Sequence, residues 1–473
     1  MIRVDSQEFR RFGYEMVDWV ADYMAEVEKY PVKSPVRPGQ ISDALPKQPP
    51  EEGEPMDRIM ADFQSILMPG ITHWQHPSFF AYFPANNSPP SVLAEILTAG
   101  IGAQCMVWET SPAATELEEV VMEWLRQMLG LPEGMAGVIH DTASTATLCA
   151  LLTARELRTG FQFNEVGAGE PLTVYASEET HSSIEKAAKI AGYGRRHLRY
   201  IPTDESLAMI PEELDRAISE DLRKGLKPAC VVATLGSTSS MAMDPLEAVG
   251  KVASSHGLWL HVDAAFAGSA AILDEEREML RGIEHVDSFV FNPHKWLLTN
   301  FDCSAYFVRD PGLLVRTFEI NPEYLKTGAD AQVKNFRDWG LQLGRRFRAL
   351  KLWFVIRHYG IKGLQEVLRD HIRLAELWAR WVQADKRFEL AAPVNLSLVC
   401  FRLIDDSGDP EETDRLNESL LNRVNASGRA YLTHTRIRGR YVLRMAIGQR
   451  STEERHVRQA WRLIGETADD LMG

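Results

Sequence analysis

Two stretches of the sequence decide the fold: residues 258–265 read LWLHVDAA, and residues 287–296 read DSFVFNPHKW. Each contains an apolar run of strand length that ends in polar residues. Similar runs are AGVIHD at 136–141, LTVYAS at 172–177 and ACVVATLG at 229–236, with helix-like stretches such as PEELDRAISEDLRKG between them. Apolar strands that alternate with helices predict an α/β fold with a mostly parallel sheet, covered by helices on both faces.

The polar residues that close these strands are the candidates for chemistry, because ligands of such sheets bind beyond the carboxyl ends of the strands. Asp263 closes the first stretch, and Lys295 follows the second. A strand–helix–strand unit would bring both residues to one edge of the sheet. The pair is compatible with a buried structural salt bridge. It also fits a lysine that forms an imine with an aldehyde cofactor, whose ring nitrogen the aspartate would keep protonated.

Two other strand–helix junctions carry polar residues. Thr142, Ala143 and Ser144 follow the strand at 136–141, and small hydroxyl residues at a helix N-terminus either bind phosphate or act as ordinary caps. His181 follows the strand at 172–177, where a histidine is often a cap or a core residue but is also placed to stack on a flat cofactor. The sequence has no glycine-rich nucleotide-binding motif.

The composition narrows the class of protein. The chain has 473 residues, 45% hydrophobic and 25% charged, which is typical of a globular protein. A net charge of −14 argues against a nucleic-acid partner. Five scattered cysteines form no disulfide framework or metal motif, and His261, Asp263 and His294 match no standard ligand spacing, so we expect no metal. Without a signal peptide or an apolar run of roughly 18 residues, we expect a cytoplasmic protein that does not cross a membrane.

The chain divides into three predicted parts. Residues 1–87 combine an amphipathic helix pattern at 6–28 with a proline-rich stretch, and they have little core of their own. We therefore expect them to lie on another surface, such as a second copy of the chain. Residues 88–352 form the large domain with the sheet, and residues 353–473 form a smaller α/β domain.

Several motifs carry a family resemblance. HVDAAFAGSA, FNPHKWLLTNFDCSA and LGRRFRALKLWF resemble the group II decarboxylases that depend on pyridoxal 5′-phosphate (PLP), and within them the aromatic-L-amino-acid decarboxylases. The resemblance extends from HWQHPSFFAYFPANNS near the start to RYVLRMAIG near the end. It implies PLP as cofactor, the aspartate-aminotransferase-type fold (fold type I), and a homodimer whose N-terminal helices pack across the partner.

The resemblance also implies roles for individual residues. Lys295 matches the Schiff-base lysine, Asp263 the partner of the pyridine nitrogen, and His181 the histidine stacked on the ring. Tyr324 matches a tyrosine on the loop that closes over the substrate, which with His181 would return a proton to the substrate. The other implied cofactor contacts are Thr142, Ala143, Ser144, Thr238, Asn292 and His294.

The implied substrate is an aromatic L-amino acid of the tryptophan, DOPA, tyrosine or phenylalanine class, converted to the arylalkylamine and CO₂. Gly344 matches a position where glycine leaves room for a large ring, and the pocket for that ring matches Trp74, Tyr82, Phe83 and Pro84. Because His181 and Tyr324 are both present, the amine is favoured over the aldehyde that related aldehyde synthases form.

Four alternatives stay open: an aldehyde synthase, a histidine decarboxylase, a glutamate or aspartate decarboxylase, and a non-catalytic paralogue. Ala85, Gln104 and Met106 depart from the family pattern. Gln104 and Met106 are expected to reach the site of the other subunit. Because of these departures, the sequence does not decide which aromatic ring is the preferred substrate.

Overall fold

The structure, a computed structural model, describes residues 5–167, 169–320, 332–405 and 408–472. The α-helices within these ranges are α1 (Ser6–Glu26), α2 (Gln40–Ala44), α3 (Met56–Asp62), α4 (Pro89–Ile101), α5 (Pro112–Leu129), α6 (Ala143–Arg158), α7 (Phe163–Val166), α8 (Ser182–Ile190), α9 (Pro211–Arg223), α10 (Leu246–Ser255), α11 (Pro293–Trp296), α12 (Pro311–Phe318), α13 (Arg348–Ala384), α14 (Pro410–Ala426) and α15 (Glu454–Met472). No helix of these ranges is long and apolar enough to cross a membrane.

The large sheet has the strand order β1-β7-β6-β5-β4-β2-β3. Its strands are β1 (Ala136–His140), β2 (Leu172–Ser177), β3 (Leu198–Ile201), β4 (Lys227–Thr234), β5 (Trp259–Asp263), β6 (Ser288–Phe291) and β7 (Ser304–Val308). Strands β2 to β6 run parallel, and β7 is antiparallel to both of its neighbours. The predicted mostly parallel sheet is confirmed.

Two strands of this sheet were not predicted from the sequence. Strand β3 has only four residues and exposes two of them in part, so its apolar pattern is weak. Strand β7 is fully buried, but it follows the lysine motif so closely that the motif hides it. It lies between β1 and β6 and is antiparallel to both, so the edge strand β1 runs in the same direction as β2 to β6.

The connection from β5 to β6 differs from the predicted helix. It consists of three 3₁₀ turns, Ala267–Ile272, Asp274–Leu280 and Ile283–His285. The connection lies very close to the sheet at Gly268, where a Cβ atom would be only 2.5 Å from Cβ of Phe291. The consequence that matters for function is nevertheless as predicted, since Asp263 pairs with Val290 and the carboxyl ends of β5 and β6 meet.

The C-terminal part forms a second layer with its own sheet. Strands β8 (Phe388–Leu390), β9 (Leu398–Leu403), β10 (Thr433–Ile437) and β11 (Arg440–Ala446) form an antiparallel sheet in the order β10-β11-β9-β8. Helix α13 spans both parts, with Leu352 in the core of the large sheet and Trp378 in the core of the small one. The predicted division at 352/353 therefore falls inside α13, and the three domain limits stay predictions.

Candidate active site

A cavity of about 210 Å³ opens at the edge of the large sheet where β4, β5 and β6 end. It is lined by residues that follow five strands, β1, β2, β4, β5 and β6, at the edge where these parallel strands end. The nine cofactor contacts expected from the sequence all line it: Thr142, Ala143, Ser144, His181, Thr238, Asp263, Asn292, His294 and Lys295.

Lys295 lies on the short helix α11 directly after β6. Burial lowers the pKa of its amine, and the positive charge of Arg444 lowers it further, while the carboxylate of Asp263 raises it. Burial is the largest of these effects, so the amine favours its neutral form more than a free lysine does. A neutral amine is the nucleophilic form that imine formation with an aldehyde requires.

Two neighbours of Lys295 hold the turn on which it lies. The Asn292 backbone N–H donates to the carbonyl of Ala265 at 2.9 Å, and the Asn292 side-chain oxygen accepts a hydrogen bond from the Ser304 hydroxyl at 2.7 Å. His294 Nδ1 accepts from the backbone N–H of Cys303 at 3.0 Å. Burial lowers the pKa of His294 to about 3, so this ring is neutral and serves as an acceptor.

Asp263 is the last residue of β5 and is buried. One of its carboxylate oxygens accepts a hydrogen bond from the backbone N–H of Ala265 at 3.0 Å, which fixes the orientation of the side chain. No group of three or more His, Cys, Asp or Glu side chains among the described residues could hold a metal ion, although His261 lies two residues before Asp263.

His181 caps the N-terminus of α8, and its Nδ1 accepts the backbone N–H of Ser183 at 3.2 Å. Burial lowers the pKa of His181, while the charge of Asp263 acts in the opposite direction. A neutral ring that accepts at Nδ1 carries its proton on Nε2. The histidine therefore offers an N–H donor to whatever lies in the cavity.

The N-terminus of α6 lines the cavity through Thr142, Ala143 and Ser144. Thr142 is the N-cap residue but makes no side-chain capping bond. The first N–H groups of a helix have no acceptor within it and carry partial positive charge. This part of the cavity lining is therefore suited to a phosphate group.

Comparison with known proteins decides the family. Residues 38–404 match the pyridoxal-dependent decarboxylase conserved domain. The chain belongs to this family. This decarboxylase is 44% identical to tryptophan decarboxylase 2 of Oryza sativa subsp. japonica, over 99% of the chain and 96% of the relative. It is 45% identical to phenylacetaldehyde synthase of Arabidopsis thaliana, over 99% of the chain and 97% of the relative.

The fold of this decarboxylase is likewise shared with solved structures. A crystal structure of Oryza sativa TDC with PLP and tryptamine matches it with a TM-score of 0.97 at 40% identity, covering 100% of both chains. These comparisons confirm the family that the motifs indicated, and they confirm PLP as the cofactor. The residues present fit this cofactor, because one cavity combines a buried amine, a buried carboxylate and a helix N-terminus suited to phosphate.

The residues expected to bind the substrate are distributed differently. Phe83 lines the cavity of its own chain, whereas the other four described candidates do not. Trp74 and Tyr82 are 36% and 47% exposed and stack on each other at 5.6 Å. Of the two remaining candidates, Pro84 lies against Gly448, and Gly344 lies beside the Gln104 side chain. Tyr324 lies outside the described residues.

Sequence reasoning named Phe83 for the substrate pocket but missed Phe266, which forms an aromatic wall of the cavity together with Phe83. The ring of Phe266 stacks on Phe83 at 4.1 Å and on Trp296 at 4.5 Å, nearly parallel to both. Phe266 directly follows the first stretch quoted above and Trp296 ends the second, but Phe83, which stacks on Phe266, comes from a segment far away in the chain. Only the tertiary structure brings the three rings together.

A buried arginine was also missed. Arg444 on β11 donates hydrogen bonds to the carbonyl oxygens of Tyr82 and Ser239 and to the hydroxyl of Thr433. Its guanidinium lies 5.4 Å from the centre of the Phe83 ring. The small domain thus contributes a positive charge near Lys295, and nothing in the local pattern RYVLRMA distinguishes this arginine from a surface one.

Proposed function

We propose that this chain converts an aromatic L-amino acid to the corresponding arylalkylamine and CO₂. The observation that carries the proposal is the buried cavity that combines Lys295, Asp263 and His181 with the N-terminus of α6. Its aromatic wall of Phe83 and Phe266 suits an aryl side chain, since ring pairs at such distances gain stabilisation beyond the area they bury. The relatives named after decarboxylation of tryptophan support the same substrate class.

Each residue of the cavity has a proposed task toward the cofactor. The amine of Lys295 would bond the aldehyde carbon, and the carboxylate of Asp263 would keep the pyridine nitrogen protonated. Thr142, Ala143 and Ser144 would hold the phosphate. Bound in this way, PLP supplies an electron sink for the pair released when the carboxylate leaves as CO₂. Thr238, Asn292 and His294 would complete the cofactor contacts.

The proton that replaces the carboxylate must be delivered to the α-carbon of the substrate. His181 would hold a proton on Nε2 over the cavity, because its Nδ1 is occupied by the N–H of Ser183. Tyr324 is the second proposed donor, and its role rests on the sequence motif alone. The presence of both residues favours a protonated α-carbon and hence the amine.

A second candidate function is an aldehyde synthase. The specific observation in its favour is the 45% identity to phenylacetaldehyde synthase of Arabidopsis thaliana over almost the whole of both chains. In that reaction the substrate would react with O₂ and water, and the products would be the aldehyde, CO₂, ammonia and hydrogen peroxide.

One assay separates the two candidates. The purified holoenzyme is incubated with tryptophan, DOPA, tyrosine, phenylalanine, histidine and glutamate, and CO₂, amine, aldehyde, ammonia and O₂ uptake are measured together. We expect amine and CO₂ in equal amounts from one or more aromatic substrates. Equal amounts of aldehyde and ammonia with O₂ uptake would establish the second candidate, and turnover of glutamate alone would contradict both.

We also propose that the functional unit is a homodimer. Helix α1 has Phe12 as its buried residue and leaves Phe9 75% exposed. Helix α4 exposes a stripe formed by Leu93, Ile96, Leu97 and Ile101, spaced at three- and four-residue steps, with Ile101 64% exposed. Apolar stripes of this kind mark protein interaction surfaces, and a second copy of the same chain would cover both helices.

The assembly is tested by sedimentation of the holoenzyme. Leu97→Glu places a charge in the exposed stripe of α4, and we expect it to shift the protein from dimer to monomer at micromolar concentration. Val166→Glu is the control, because it places the same charge on an exposed apolar side chain outside the stripe, 76% exposed against 46% for Leu97. A wild-type chain that sediments as a monomer contradicts the proposed dimer.

We infer a cytoplasmic location for the enzyme. The support is that the five cysteines are all buried and unpaired, as is usual for proteins of a reducing compartment. Imaging of a fluorescent fusion in the source cell tests this inference, and a signal confined to an organelle would overturn it.

A further inference from the structure

Asn86 makes an unusual set of hydrogen bonds around the reactive lysine. Its side-chain amide donates to the backbone carbonyl of Lys295 at 2.6 Å and to that of Gly448 at 2.7 Å. Its side-chain oxygen accepts from the backbone N–H of Arg450 at 2.9 Å. Its own backbone N–H donates to the carbonyl of His294 at 3.0 Å. One side chain therefore joins the lysine turn to a turn of the small domain.

These contacts leave no doubt about the orientation of the amide group, since two carbonyls face its nitrogen and one N–H faces its oxygen. Asn86 is 1% exposed, so none of these bonds is exchanged with water. Removing one partner of a buried hydrogen bond destabilises the fold, because the polar group that remains cannot bond to water instead. Loss of the Asn86 amide would leave two buried carbonyls without a donor.

A second, independent connection runs to the same turn of the small domain. Trp296, the residue after the lysine, donates from its indole nitrogen to Nδ1 of His371 at 2.9 Å. The ring of His371 in turn bonds the backbone of Gln449. Residues 448–450 thus contact the lysine turn through Asn86 on one side and through Trp296 and His371 on the other.

We propose that Asn86 is a positioning residue for Lys295, one that sets the direction of its amine by fixing its main chain against residues 448–450 of the small domain. The inference rests on the proposed function only in taking Lys295 as the residue that bonds the cofactor. Asn86 does not line the cavity, so it acts through the lysine and not on the substrate. Asn86 lies within the motif HWQHPSFFAYFPANNS, but it is 209 residues from Lys295 in sequence, so the motif does not reveal their hydrogen bond.

The test uses Asn86→Asp, which preserves the shape of the side chain but removes the two N–H donors. Asn87→Asp is the matched control: it makes the same chemical change one residue later, on a side chain that is not the one bonded to Lys295, Gly448 and Arg450. Asn86→Ser, a smaller donor, is the second variant in case the first does not fold. Melting temperature and far-ultraviolet circular dichroism establish folding for each protein.

The decisive readout is the rate at which PLP becomes attached to the full-length apoprotein, followed by its visible absorption without substrate. We expect Asn86→Asp to slow attachment by between about tenfold and a hundredfold, as a misplaced reacting group does, and Asn87→Asp to leave it within about twofold of wild type. We also expect kcat to fall far more than KM changes.

If a folded Asn86 variant attaches PLP at the wild-type rate, the proposal is overturned. This holds even if the melting temperature of the variant is lower, because Asn86 would then stabilise the fold without positioning Lys295. An equal slowing in Asn87→Asp overturns it as well, since the effect would then be one of added charge. Because attachment needs no substrate, failure of the proposed function would show separately, as normal attachment without turnover of any aromatic amino acid.

Discussion

The amine nitrogen of Lys295 lies 5.5 Å from the centre of the Phe83 ring. An aromatic face at this distance favours the charged form of an amine by a modest amount. Burial acts against the charged form and lowers the pKa of Lys295, with Arg444 adding to the effect. Burial exceeds the opposing contribution of Asp263, so the cavity presents a lysine that is more easily deprotonated than one in water.

This balance predicts how cofactor attachment depends on pH. Because the pKa of Lys295 lies below its ordinary value of 10.5, the rate of PLP attachment to the apoprotein should level off at a lower pH than that of a free lysine amine. Borohydride reduction followed by peptide mass spectrometry should place the label on Lys295, and Lys295→Ala should remove the label and the activity. Labelling of another lysine in the wild type would refute the assignment.

Asp263→Asn should both weaken the chemistry and shift the titration of the lysine. The carboxylate of Asp263 raises the pKa of Lys295, so its neutralisation should lower that pKa further and move the attachment profile to lower pH. Without the charge that keeps the ring nitrogen protonated, we expect kcat to fall on the order of a hundredfold or more, as for other groups that stabilise developing charge. Steady-state kinetics at saturating PLP measures the loss. An unchanged kcat would rule out the proposed role.

Acid should destabilise the folded chain through its buried histidines. Burial lowers the pKa of His261 and of His371 to about 4, below their ordinary value of 6.5. Between these values the unfolded chain binds protons that the native chain does not, so the free energy of unfolding falls as pH drops from about 6.5 toward 4, by up to roughly 1.4 kcal/mol per pH unit for each histidine.

Asp244 opposes this trend over a narrower range, because burial raises its pKa to about 6, and protonation of the native chain then stabilises it as pH falls below 6. Burial likewise lowers the pKa of His76 to about 4 and of His140 and His294 to about 3, while it raises the pKa of Glu179, Glu276 and Asp287. Because five histidines have large shifts in the same direction, we expect urea unfolding to give a lower free energy at pH 5 than at pH 7. His371→Gln should reduce the difference between the two pH values. A free energy that is equal at both would show that these groups do not govern acid stability.

Gly344→Ser should narrow the choice of substrate. A Cβ atom at this position would lie 3.4 Å from the Gln104 amide nitrogen, so a serine fits without large movement. We expect kcat/KM for tryptophan to fall about tenfold relative to tyrosine, the size typical of a small change in pocket volume. Because Gly344 does not line the cavity of its own chain, such an effect would come from the site of a second copy. Equal losses for both substrates, with a lower melting temperature, would count against this role.

The sequence predicted the parts of the site that lie at strand ends. Asp263 ends an apolar strand, and His181 and Lys295 each lie four residues after one. Parallel strands end at one edge of the sheet, so the proximity of the three residues follows from a local pattern plus one rule of topology. The antiparallel β7 escaped prediction because its direction depends on which strands pair, and pairing is not encoded in a single run of residues.

By itself, then, the sequence determined the fold class, the family, the PLP cofactor and the residues at the edge of the sheet, because these depend on local periodicity and on motifs of fixed spacing. Only the tertiary structure decided that Phe83 and Phe266 form one wall and that Trp74 and Tyr82 stack away from the cavity. It also decided that Asn86 bonds the main chain of Lys295. The physical reason is that such contacts join segments far apart in the chain, and their energies depend on which groups packing leaves buried together.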